Sequence, residues 1–114
     1  MLLSNGEKIF VITRRRFTGD LRRHFIGEVI GCSDIAVRVM GYVFVFDEMS
    51  GEFVRREDLR TRIFPLTDGG FIIYFIPKDV NIEDITYQVV ERNQRIITDG
   101  KNFAMNVNEF TTHL

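Results

Sequence analysis

Short apolar runs rich in Ile, Val and Phe follow one another along the chain, separated by turn residues at short intervals. Branched and aromatic runs of this length, bounded by Gly, Asp, Asn and Pro, are typical of strands in a mainly β fold. A Gly-containing loop over 47–51 and the pair Asp99-Gly100 predict two hairpins, and Asp79 predicts the N-cap of a helical turn over 80–84. The predicted strands cover residues 8–13, 23–30, 35–46, 52–56, 61–66, 71–76, 85–90, 95–98 and 103–107.

The strands differ in how many of their faces are apolar. Residues 103–107 alternate, with Phe103, Met105 and Val107 on one face, whereas runs 9–12, 42–46 and 71–76 are apolar on both faces. Strands of the second kind need cover on both sides, and the sequence offers no amphipathic helix to provide it. We therefore expect a homo-oligomer; the alternative is a monomer whose C-terminal meander covers these strands. The candidate interface residues are Tyr42, Phe44, Phe46, Phe71, Ile73 and Phe75.

Composition supports the β assignment and limits the size of the fold. The 114 residues include 11 Phe, and Ile plus Val number 24 against 8 for Leu plus Ala, which favours pleated strands over helices. The length suits one domain, 1–114, and we expect a small, strongly bent barrel or a sandwich with a C-terminal β-meander. A sub-boundary near residue 77 would separate a barrel, 1–77, from a short helical turn plus meander, 78–114.

Charge is balanced overall but arginine is concentrated. The net charge of -1 gives no general attraction to nucleic acid or membrane, yet ten of the twelve Arg lie in the first 62 residues. A run between two predicted strands mixes cations with aromatic rings, which suits phosphate neutralisation and base stacking. We therefore expect RNA, a nucleotide or another phosphate ligand to bind there; the alternative is a solvated loop whose arginines only pair with acids. The candidate ligand residues are Arg14, Arg15, Arg16, Phe17, Arg22, Arg23 and His24.

A second charged stretch, 55–62, mixes four arginines with two acids, Glu57 and Asp58, and ion pairing explains it best. This stretch would add to the candidate ligand surface only if it folded next to the first arginine run.

Candidates for catalysis are few. Cys32 is the single cysteine, and the two histidines, His24 and His113, show no spacing typical of a metal site. We expect no catalytic residue, no metal and no cofactor, with an enzyme using His24 or Cys32 as the less favoured alternative. The polar N-terminus does not resemble a signal peptide, and no apolar run is long enough for a membrane helix, so we expect a cytoplasmic protein.

Residues 23–76 resemble the Sm-like and SH3-like small barrels. The segment Gly27-Glu28-Val29-Ile30-Gly31, followed by Asp34, resembles the first Sm motif, in which a strand glycine precedes an acidic turn. The Asn that follows the acid in RNA-binding members is replaced here by Ile35, and the Arg-Gly of the second motif is absent. The resemblance therefore implies a ring-type oligomer more than it implies the RNA site of that family.

Overall fold

The computed structural model describes residues 2–15, 17, 19–67 and 69–107. About 55% of these residues lie in strands and 6% in short helical turns, which confirms the mainly β class. The chain divides into two compact units, Met1–Lys78 and Asp79–Leu114. Within the described residues no helix has the length and apolarity needed to cross a bilayer.

The first unit is one antiparallel sheet. Its order is β4-β3-β2-β1-β6, and β5 also pairs with β3, which uses its first half for β5 and its second half for β4. In the described residues β5 and β6 end the sheet without pairing with each other, so the sheet is bent but not closed. Its strands are β1 (Lys8–Thr13), β2 (Arg23–Cys32), β3 (Ala36–Asp47), β4 (Glu52–Arg55), β5 (Arg60–Pro65) and β6 (Phe71–Ile76).

A pair of glycines lies at the middle of this sheet. Gly27 of β2 faces Gly41 of β3. A Cβ on Gly27 would lie 2.5 Å from the carbonyl oxygen of Met40, and one on Gly41 would lie 2.5 Å from the Cα of Gly27 and still closer to the carbonyl of Ile26. Because only glycine fits, the two backbones approach more closely here than side chains allow. Gly41 therefore does not interrupt the predicted third strand but permits its close packing on β2.

The concave face of the sheet holds a core of branched and aromatic side chains. Phe25 and Phe64 meet edge-on at 5.4 Å between ring centroids, and Phe64 meets Phe71 in the same way at 5.2 Å. β1 is buried on its other face too, as the two-faced apolar pattern over 9–12 requires. The concave core comprises Leu3, Ile9, Val11, Phe25, Val29, Val37, Val39, Val43 and Phe64.

The second unit is a three-stranded meander, β7 (Thr86–Val90), β8 (Gln94–Thr98) and β9 (Ala104–Asn106), in the order β7-β8-β9. It begins with a 3-10 turn over Ile82–Asp84. The N-cap of this turn is Asn81, whose side chain accepts a hydrogen bond from the N–H of Glu83, and not Asp79 as predicted.

The predicted two-residue hairpin at Asp99-Gly100 is wrong. The Asp99 carboxylate accepts hydrogen bonds from the N–H groups of Lys101 (2.9 Å) and Phe103 (3.1 Å), and these bonds hold a longer loop. The hydroxyl of Thr98 closes the same loop by donating to the carbonyl of Phe103 at 2.7 Å. The strand predicted from residue 103 consequently begins at Ala104.

Candidate functional site

The first arginine run connects β1 to β2, whose ladder ends at the pair Thr13 and Arg23. Arg14 anchors this loop to the turn that precedes β6. Its N–H donates to the carbonyl of Gly70 at 2.8 Å, and its guanidinium donates to the carbonyl of Gly69 at 3.1 Å. Arg14 is exposed, but its side chain positions the loop as well as adding charge.

A tight turn forms the tip of this loop. The N–H of Phe17 donates to the Asp20 carboxylate at 3.2 Å, and the N–H of Asp20 donates back to the carbonyl of Phe17 at 3.0 Å. Phe17 is 73% exposed, and Arg15, two positions earlier in the chain, is exposed as well. Arg16, a candidate ligand residue, lies outside the described residues.

Arg22 packs against the sheet. The carbon at the centre of its guanidinium lies 4.6 Å from the ring centre of Phe46 and 5.2 Å from that of Phe53. Its carbonyl accepts a hydrogen bond from the N–H of Phe46 at 3.0 Å. These contacts give Arg22 a structural role at the β3–β4 hairpin.

His24 lies inside the unit, 1% exposed. Its ring stacks on Phe53, with centroids 4.2 Å apart, and meets Phe10 edge-on at 4.9 Å. His24 therefore takes no part in the exposed arginine surface, although the sequence groups it with that loop.

Only the start of the second charged stretch lies towards the arginine loop, because Arg60 is already opposite Gly41 in the middle of the sheet. Arg23 of β2 lies opposite Val45, which lies opposite Val54 of β4, so two strand spacings, roughly 10 Å, separate β2 from β4. Arg56, just beyond β4, is exposed, whereas Arg55 stacks over the ring of Tyr42 at 4.8 Å. We define the arginine surface as Arg14, Arg15, Phe17, Arg23 and Arg56.

Ion pairs occupy part of the second stretch. Arg55 lies 3.4 Å from the carboxylate of Glu57, and Arg60 lies 3.5 Å from that of Asp58. Both acids are well exposed, so each pair contributes about 0 to 1 kcal/mol. The ion-pair explanation therefore fits the stretch 55–62.

The fold does not bring His24 and Cys32 together. Both belong to β2, eight residues apart, which corresponds to roughly 25 Å along a strand. The thiol of Cys32 donates to the carbonyl of Leu3 at 3.3 Å, as expected of a small packing residue. His113 lies outside the described residues, and no group of three His, Cys, Asp or Glu side chains gathers as a metal site in the part of the chain that is described.

The candidate interface residues occupy different environments. Phe44 is buried, Tyr42 and Phe46 are half-buried under arginines, and Phe71 and Ile73 pack against the concave core. Phe75, in contrast, is 53% exposed. The candidate list omitted the exposed neighbours Ile72 and Tyr74, because nothing in an all-apolar run marks which positions face outward.

An apolar cleft of about 430 Å³ lies at another place on the first unit. Leu2, Leu3, Leu66, Ile73 and Phe75 line it, with Asp34 also at its wall. Its volume is in the range of small-molecule sites, but it contains few polar groups that would select a ligand.

Comparison with known proteins gives no further guide to this geometry: no family model, no curated protein and no solved structure matches the chain.

Proposed function

We propose that the chain is a non-enzymatic, self-associating module that binds a phosphate-bearing ligand, RNA or a nucleotide, at the arginine surface. The observation that carries the ligand is the 73% exposure of Phe17 in an anchored loop between exposed arginines. An exposed ring in a loop that also carries exposed arginines offers a base a stacking platform and its phosphate a cation.

The residues divide into ligand-binding and positioning roles. Arg15, Arg23 and Arg56 contact phosphate, and Phe17 stacks on a base. Arg14 fixes the loop through the carbonyl of Gly69 and adds its charge.

The distribution of charge favours the first unit as the binding unit. It carries twelve basic and ten acidic side chains, whereas the second unit carries three and six. The excess of two basic side chains in the first unit is small, so binding depends on the local grouping of arginines and not on the net electrostatic potential of the unit.

The finer fold assignment is part of the same proposal. We place the first unit among the small bent barrels of Sm-like or SH3-like type. What supports this is the strand path β6-β1-β2-β3-β5, with the glycine pair where the neighbouring strands β2 and β3 approach closely.

A second candidate is a purely structural assembly protein without a nucleic-acid ligand. The ion pairs of Arg55 with Glu57 and Arg60 with Asp58 favour it, because they show arginines of this chain that pair with its own acids.

The test removes two charges from the arginine surface. The variant Arg15→Ser/Arg23→Ser is compared with Arg38→Ser/Arg62→Ser, which loses the same charge from exposed positions on β3 and β5. Fluorescence anisotropy with labelled single-stranded RNA, repeated over a salt series, measures both affinity and the number of phosphate contacts.

We expect the Arg15→Ser/Arg23→Ser variant to lose affinity by about a hundredfold or more, since each of the two lost hydrogen bonds to a charged group costs about 1.5 to 3 kcal/mol. The salt dependence of log K should become shallower by about 1.4, because each phosphate contact on a single strand contributes about 0.7. The control variant should keep both values. Equal losses in the two variants, or no binding by the parent chain, would favour the structural assembly protein.

A further inference from the structure

Three strands of the first unit have a free edge in the described part of the chain: β4, β5 and β6. A free edge presents unpaired N–H and C=O groups, and proteins usually protect such edges with charge, proline or shortness. The three edges differ in this protection.

β4 and β5 are protected. β4 has four residues and carries Glu52 and Arg55 at its ends. β5 carries Arg60 and Arg62 and ends with Pro65. The bond from the N–H of Leu66 to the carbonyl of Ile35 fixes the alternation in β5, so that residues 61, 63 and 65 direct their backbone groups outward. Pro65 has no N–H and thus removes one donor from this edge.

β6 has none of these devices. Its sequence Phe-Ile-Ile-Tyr-Phe-Ile has no charge, proline or glycine. Tyr74 is 45% exposed and Phe75 53% exposed, and Ile72 is exposed as well. An edge of this kind is a template for another strand.

The hydrogen bond from Arg14 to the carbonyl of Gly70 fixes which backbone groups of β6 are available. Because hydrogen-bonded pairs alternate in an antiparallel ladder, residues 72, 74 and 76 bond to β1. The bond from the N–H of Val29 to the carbonyl of Glu7 gives β1 the same alternation on its other side. Phe71, Ile73 and Phe75 therefore direct their N–H and C=O groups away from the sheet.

We propose that this edge pairs with the same edge of a second copy of the chain, antiparallel, with Ile73 on the two-fold axis. Ile73 then faces Ile73 of the partner subunit, and Phe71 faces Phe75 of the partner subunit. Each of the three hydrogen-bonded pairs exchanges two bonds. On the opposite face of the strand, Ile72 lies beside Tyr74 of the partner subunit, so the exposed side chains cover one another. The inference rests on the self-association in the proposed function and not on its ligand.

Pairing of β6 with β6 of a second copy is favoured over pairing of β6 with another edge strand, because of the residues that each edge carries. In the β6–β6 pair, positions 71, 73 and 75 of one copy lie opposite positions 75, 73 and 71 of the other. All of these residues are apolar, so no charged side chain is placed opposite an apolar one. Pairing β6 with β5 of another copy would lose a hydrogen bond at Pro65 and would place the arginines of β5 in the new ladder. A two-fold interface also closes after two chains, as an isologous interface must.

The first experiment measures mass by light scattering over a concentration series. The parent should approach twice 13.3 kDa at high concentration. Tyr74→Lys places a charge on the proposed edge and should remain at one chain mass, whereas Ile63→Lys, on the 61% exposed Ile63 of β5, should associate as the parent does. A monomeric parent, or a Tyr74→Lys variant that still forms the parent dimer, would overturn the proposal.

The second experiment tests the register in a Cys32→Ala background. Residues 72 and 74 of the two copies form a non-hydrogen-bonded pair with Cα atoms about 4.5 Å apart, within the range of a disulfide. A mixture of Ile72→Cys chains and Tyr74→Cys chains should cross-link on mild oxidation, while either variant alone should not, since like positions lie more than about 7 Å apart. Cross-linking of either single variant alone, or none in the mixture, would overturn the two-fold register.

The failures are distinguishable. A monomeric parent removes both the self-association and the β6 edge, whereas a Tyr74→Lys variant that keeps the parent dimer removes only the edge. Unchanged RNA affinity in the Arg15→Ser/Arg23→Ser variant removes only the ligand site.

Discussion

The close approach of β2 and β3 depends on the absence of a side chain at Gly41. In the variant Gly41→Ala the new Cβ meets the carbonyl of Ile26 and lies 2.5 Å from the Cα of Gly27. Both obstacles are backbone atoms within a ladder, so no rotamer change relieves the contact. The strands must separate locally, and this disturbs the concave core on either side.

The size of the effect follows from what has to move. Overpacking of a well-packed site costs about 1 to 3 kcal/mol, and backbone obstacles lie at the upper end or beyond, so we expect a loss of about 3 kcal/mol. With a urea slope of about 1 to 1.5 kcal/mol per molar, this lowers the unfolding midpoint by about 2 to 3 M. Such a loss is a large share of the 5 to 15 kcal/mol, roughly, that stabilises a typical domain.

Urea unfolding followed by circular dichroism measures the shift. Gly31→Ala is the matched control, because a Cβ at that position lies 3.7 Å from Arg38, an ordinary contact. We expect the midpoint of the control to stay within about 0.5 M of the parent or to rise slightly. If Gly41→Ala unfolds at the same midpoint as Gly31→Ala, the glycine pair does not control the packing of the sheet.

Two further predictions concern single side chains. Arg22→Gln loses its stacking on two rings and should lower the free energy of unfolding by about 1 kcal/mol, whereas Arg23→Gln should change it little; equal effects in urea unfolding would contradict a structural role for Arg22. Hydrogen bonds from backbone N–H groups, led by that of Lys101, lower the pKa of the Asp99 carboxyl. The hydrogen bonds of the ionised carboxylate therefore stabilise the loop fully at pH values above the ordinary carboxyl pKa, and this stabilisation is lost as the pH falls through the lowered pKa. Amide NMR shifts of Lys101 and Phe103 should follow that titration and lose it in Asp99→Ala.

Most strands could be predicted from the sequence, because the spacing of apolar residues and the Ile, Val and Phe content both indicate strands along β1 to β6. β1 and β6 have the predicted bounds, and β2 to β5 differ by one or two residues. The errors lie where one side chain decides a local geometry. Asp99 captures two N–H groups and lengthens a hairpin loop, and Asn81 takes the cap that Asp79 was expected to provide. Such choices depend on three-dimensional hydrogen bonding that periodicity does not contain.

The candidate site was predictable only in part. Clustering of arginine marked the loop, but not the different roles within it: Arg22 covers rings of the β3–β4 hairpin and His24 enters an aromatic stack. The position of Arg56, two strand spacings from β2, depends on strand order, which no local pattern reveals. The protection of β5 by Pro65 likewise depends on the phase of its ladder and not on the presence of proline alone.

The two proposals together predict how ligand length affects binding. Arg14 lies beside Gly70, just before β6, so antiparallel pairing places the two arginine surfaces at opposite ends of the paired strands. Six residues separate the two copies of Gly70 along the ladder, which is roughly 20 Å. An RNA of about four nucleotides reaches one surface, whereas one of about twenty reaches both and gains avidity of about a hundredfold or more.

Anisotropy with both RNA lengths, on the parent and on Tyr74→Lys, separates these contributions. The short RNA should bind both proteins equally, and only the long RNA should lose affinity in the monomeric variant. If the short RNA also loses affinity, β6 belongs to the ligand site; if the long RNA loses none, the two surfaces do not act on one ligand. Only a difference confined to the long RNA is consistent with dimerisation through β6 and phosphate binding at separate loops.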